Sequence, residues 1–60
     1  MNKRYYNMKK SEIRLEAIFW QIQQSGYNYS YSELLEKQIY FEKMGKKYGL
    51  MREFRENGIL

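Results

Sequence analysis

The sequence predicts an all-α fold: an antiparallel helical hairpin with a short third C-terminal helix, with dimerisation into a bundle as a further expectation. Three observations lead there. Val, Thr and Pro are absent, so strand formers are scarce and nothing breaks a helix outright. Apolar residues recur at helical spacing through two long segments. Between and after those segments stand Gly26, a Ser-x-x-Glu motif and Gly49, which are stop and start signals.

Residues 1–7 form a basic arm, and "NKRYYNMKK" is able to continue the first helix backwards. Helix 1 is expected over residues 8–25. There Met8, Leu15, Ile18, Phe19 and Ile22 fall on one stripe about 80° wide at 100° per residue, which reads as the core face. Ser11 followed by Glu12 suits a helix start, and Gly26 suits a stop.

Residues 26–30 make the connection, which holds Tyr27 and Tyr29 and is followed by Tyr31. Within it, Ser30 and Glu33 have the spacing of a capping box, and Tyr29 and Leu34 occupy the positions of a hydrophobic staple. Helix 2 is expected over residues 31–48, with Leu34, Phe41 and Tyr48 on a seven-residue repeat, Gln38 and Gly45 between them, and Gly49 as the stop. A third helix over residues 50–57 carries Leu50, Met51 and Phe54, and Gly58, Ile59 and Leu60 read as a loose end. So short a connection makes the two long helices antiparallel neighbours.

Helix 1 carries a second apolar set, Ile13, Ala17 and Trp20, lying about 140–200° from Leu15 around the helix. One neighbouring helix covers one stripe, so this set is expected to meet the tail, a second copy or another protein. With Tyr27 and Tyr31 it forms the candidate partner-binding surface, and Trp20 is its expected anchor. Tyr27 and Tyr31 would project from the connection as a small aromatic patch. Tyrosine supplies 7 of 60 residues, and it offers large contact area at low entropic cost.

Charge is blocked along the chain: residues 1–14 and 43–60 are basic, and residues 15–42 are net acidic. In an antiparallel arrangement Lys9, Lys10 and Arg14 would join Lys43, Lys46, Lys47, Arg52 and Arg55 at one pole, a candidate contact for phosphates or an acidic protein surface. Lys46 and Lys47 also suit the C-terminal dipole of helix 2, and Glu33–Lys37 and Glu42–Lys46 have the spacing of local helix pairs. The stretch "FEKMGKKYGLMREFRENGI", with Gly45, Tyr48, Gly49 and Leu50, resembles the middle of a helix-turn-helix. That resemblance implies a DNA-binding transcription regulator with Arg52, Arg55 and Asn57 as base readers. It departs from the pattern in that Phe54 comes one residue early and Asn57-Gly58 ends the recognition helix after about two turns.

His, Cys, Asp and Thr are absent, which leaves Glu as the only carboxylate and Ser, at helix ends or in a loop, as the only aliphatic hydroxyl, so neither enzyme activity, a metal nor a cofactor is expected. No run approaches the ~18 apolar residues of a membrane span, and a cytoplasmic location without membrane contact is the expectation. Lys, Asn, Ile, Tyr and Phe supply 26 of 60 residues, which suggests an A+T-rich gene of a low-GC bacterium or its phage. The reading that follows is a small non-enzymatic regulatory protein, an inhibitor or adaptor acting on a larger protein. The alternative is a small basic protein with a degenerate helix-turn-helix acting at DNA.

Overall fold

The computed structural model describes residues 3–60 and is all-helical, with three helices and no strand among the described residues. Met1 and Asn2 of the expected basic arm lie outside the described residues. The rest of the arm belongs to α1, which runs Lys3–Gly26. Its 24 residues, about 36 Å at 1.5 Å each, account for most of the 39 Å long dimension of the molecule. No proline and no early cap interrupts the segment, so the helix begins ahead of Ser11. At the other end Gly26 is the last helical residue and has no positive φ, so it is not the left-handed stop expected of it.

Local chemistry sets the bounds of α2, Tyr31–Tyr48. Ser30 is the N-cap, in extended backbone conformation, and its Oγ accepts a hydrogen bond from the Glu33 amide at 3.2 Å. At the C-terminus Gly49 takes the left-handed conformation, φ 69°, and its N–H donates to the Gly45 carbonyl. The Leu50 amide donates to that same oxygen at 2.8 Å, which turns the chain sharply into α3, Met51–Glu56.

The three C-terminal residues are not the loose end expected. Gly58, φ 76°, donates to the Arg55 carbonyl, and Ile59 donates to the Phe54 carbonyl at 2.8 Å, the paired bonds of a Schellman turn. That turn folds Ile59 and Leu60 back against the core, where both are half-buried.

The core consists of Ile13, Ala17 and Trp20 from α1, Phe41 and Tyr48 from α2, and Leu50 and Phe54 from the turn and α3. Phe41 and Phe54 meet edge to face at 5.7 Å. Gly45 makes that junction close: a Cβ there would lie 2.8 Å from the Met51 sulfur and 3.3 Å from a Phe54 ring carbon.

This arrangement corrects the reading of α1. The stripe expected to face inwards, Met8, Leu15, Ile18, Phe19 and Ile22, faces out, and the second set, expected to meet the tail, a second copy or another protein, is buried with Phe41, Leu50 and the tail residue Phe54. Trp20 is only 6% exposed, so it belongs to the chain's own core. The buried set places Trp20 in the core with Phe41 and Phe54, and the polar residues that flank it find partners in the same orientation. Arg14 Nε donates to Glu53 Oε2 at 2.7 Å and Gln21 Nε2 donates to the Asn57 carbonyl at 2.6 Å, both towards α3 and its exit, while the Tyr40 hydroxyl donates to Glu16 Oε2 at 2.6 Å on the α2 side. These bonds form together only with Ile13, Ala17 and Trp20 turned in. The small Ala17 then leaves room beside Phe54, with which it shares the wall of a cleft.

Candidate functional site

Turning Ile13, Ala17 and Trp20 inward leaves the opposite side of α1 without a cover. Met8, Leu15, Ile18, Phe19 and Ile22 are between 48 and 63% exposed and form one ridge, about 20 Å long at the helical rise. The core of α2 and α3 packs on the other side of the helix, and of the ridge residues Ile18 borders the cleft that Glu53, Phe54 and Asn57 line. Single exposed apolar residues are ordinary, but five large ones in one row are not. Their spacing was legible as a stripe in the sequence. Its outward direction was not, because the same spacing marks a core face.

At the loop end the three tyrosines have separate places. Tyr29 is half-buried with its ring 4.7 Å from that of Trp20, and the Tyr27 ring leans on Tyr29 at 4.8 Å, tilted by 53°. Tyr27 and Tyr31 remain 66 and 80% exposed. Tyr31 borders a cleft of about 340 Å³ that Trp20, Leu34, Leu35 and Ile59 also line. Lys37, whose spacing suggests a pair with Glu33, instead holds its ammonium 5.5 Å from the centre of the Trp20 ring. Trp20, 6% exposed, is thus flanked by a tilted aromatic ring and approached by a cation, and offers little surface to a partner.

The basic candidates divide into two groups. Tyr6 and Tyr48 stand 5.4 Å apart, so the start of α1 and the end of α2 lie at one end of the molecule. There Lys9 pairs with Glu12 at 3.3 Å and Lys46 with Glu42 at 3.2 Å, while Lys47 lies over the Tyr48 ring at 5.5 Å. On α3, Arg52 pairs with Glu56 at 3.1 Å. Arg14 is committed to Glu53, whose hydrogen bond raises the guanidinium pKa and holds the carboxyl below its ordinary value. Lys10 stands close enough to Glu53 to add to that lowering. Lys43 and Arg55 make no ion pair among the described residues. The cations therefore serve helix support and helix docking more than they form one open patch.

No protein-family model, curated protein or solved structure matches this chain.

Of the helix-turn-helix resemblance, the turn has a counterpart in the structure: Gly45 lies under α3 and Gly49 turns the chain. The following helix has only six residues, under two turns, and its Met51 and Phe54 are pressed on Gly45. A groove-reading helix needs several exposed side chains along one face, and α3 offers few. Among the described residues no three His, Cys, Asp or Glu side chains come together as a metal site, and no helix is long and apolar enough to cross a membrane.

Proposed function

We propose that this chain is a small non-enzymatic regulatory protein, an inhibitor or adaptor of low-GC bacterial or phage origin, that works in the cytoplasm by binding a larger protein. On this reading α1 and α2 form an antiparallel hairpin, the hairpin dimerises into a bundle, and recognition uses apolar and tyrosine-bearing helical surface. The observation that carries the reading is the outward ridge of α1. Water contact by Met8, Leu15, Ile18, Phe19 and Ile22 costs free energy that a second polypeptide removes. Ile13, Ala17 and Trp20 drop out of the recognition surface, whereas Tyr27 and Tyr31 stay in it.

The alternative, a basic regulator acting at DNA, draws support from the shared pole of α1 and α2. It is weakened by the carboxylate partners of Lys9, Arg14, Lys46 and Arg52 and by the length of α3.

The experiment is capture from the lysate of a low-GC bacterium on the tagged chain, with and without nuclease, beside two variants that keep their circular dichroism spectrum. One protein that survives nuclease and is lost with Phe19→Ser or with Tyr27→Ser/Tyr31→Ser is the expected result. Recovery of nuclease-sensitive material alone would move the function to the basic pole.

A further inference from the structure

We propose that the ridge of α1 is a self-pairing seam, covered in solution by α1 of a second copy running antiparallel. This rests on the reading of the ridge as a surface for a second polypeptide and names that polypeptide as another copy, which leaves Tyr27 and Tyr31 as the surface for the larger protein.

The spacing carries the first part of the argument. Met8, Leu15 and Ile22 repeat every seven residues, and Ser11, Ile18 and Ser25 each follow three residues later. Alternating steps of three and four are the seam positions of a pair of helices packed knobs into holes. Every one of these residues lies on the exposed side of α1, and none takes part in the core.

Side-chain size then selects the direction. In an antiparallel pair each first-row residue faces a second-row residue of the other copy. With the two-fold axis between Leu15 and Ile18, Leu15 faces Ile18 of the other copy, Ile22 faces Ser11, and Met8 faces Ser25. Two central layers are fully apolar, and the outer layers oppose a long side chain to a short one, so the seam fills evenly from end to end. A parallel pair would set Ser11 on Ser11 and Ser25 on Ser25, leaving gaps and burying hydroxyls at both levels.

Charge selects the same direction. The first half of α1 holds Lys3, Arg4, Lys9, Lys10 and Arg14 against Glu12, and the second half holds Glu16 alone. Parallel pairing would stack the cationic halves on each other, whereas antiparallel pairing sets each beside a half that is neutral to acidic.

The area is sufficient. With ~200 Å² taken for a fully exposed large side chain, the five ridge residues present roughly 500 Å² per copy. If all of it is covered, two copies bury at most about 1,000 Å² from these residues, the threshold for a biological interface, and flanking stems such as those of Glu12 and Gln23 add the rest.

The test uses the purified full chain. In equilibrium sedimentation the mass should rise with concentration from 7.5 kDa towards about 15 kDa, as a two-fold dimer requires. Ile18→Glu, which places like charges beside the axis at a position half-exposed in the single chain, should keep the helical spectrum and weaken association at least ~100-fold. Ile39→Glu, on the exposed side of α2, should leave association unchanged. The chain has no cysteine, so Met8→Cys and Ser25→Cys introduce unique thiols. Oxidising a mixture of the two variants should give the 8–25 cross-link between copies, and a majority of 8–8 and 25–25 products would overturn the antiparallel seam. A chain that stays monomeric at all concentrations would overturn self-pairing. If Phe19→Ser still abolishes capture of a larger protein from such a monomer, the regulatory reading stands without the seam. A dimer that captures nothing supports the seam and removes that reading.

Discussion

Arg14 and Glu53 meet at 2.7 Å across 39 residues of sequence and join α3 to the middle of α1 beside the core contact of Phe54. Glu53 is held below its ordinary carboxylate pKa by the hydrogen bond from Arg14, which outweighs the opposing effect of burial, with smaller help from the charges of Arg14 and Lys10. Its stabilisation is therefore complete above the unfolded carboxylate range and is lost as pH falls through the lowered folded value. Both side chains are more than a third exposed, so solvent and salt screen the pair. Glu53→Gln should cost about 0.5–1 kcal/mol at neutral pH and low salt. Urea midpoints should differ from the parent more at pH 7 than at pH 3, and less so in 1 M salt.

Trp20 reports on the chain's own core. Enclosed by Tyr29 and approached by Lys37, it should emit at short wavelength, with a maximum that does not move on dilution or on adding a partner. Its truncation to Ala should cost about 3–5 kcal/mol, comparable to the whole stability of a domain this small. Loss of binding by Trp20→Ala would thus report unfolding, and Phe19→Ser is the informative variant for the surface.

Tyr40 should ionise late. Burial pushes its hydroxyl up to about 12, aided by the hydrogen bond it donates to Glu16. Because the folded pKa lies above the unfolded value, this contribution is complete below the ordinary tyrosine range and is lost as pH rises through the folded value. The absorbance difference between the parent and Tyr40→Phe should show one phenol ionising near 12. Glu16→Gln should lower that step while leaving it above the ordinary value, since burial is the larger cause.

Two glycines should answer oppositely to Ala. Gly49 has φ 69°, so Gly49→Ala should cost about 1–2 kcal/mol and loosen the turn that seats Leu50. Gly26 lies in helical backbone with open space around an added Cβ, so Gly26→Ala should stabilise by roughly 0.5 kcal/mol. Thermal midpoints of the two single variants decide both.

What the sequence by itself determined is local: the helical class and the ends of α2. The Ser30–Glu33 bond and the left-handed Gly49 act within four residues, and nothing distant overrides them. The choice between two apolar faces of α1 could not be read the same way. Met8, Leu15, Ile18, Phe19 and Ile22 make the larger stripe, and periodicity alone favours it as the core. Tertiary structure decided otherwise through groups far apart in the chain, Glu16 with Tyr40, Arg14 with Glu53 and Gln21 with Asn57, each linking α1 to an element 24 to 39 residues away. The tail followed the same rule, since Ile59 and Leu60 acquire a place only once Phe54 and Trp20 have made one. A side chain's spacing names the face it belongs to; only the elements that arrive to cover that face determine whether it becomes core or surface.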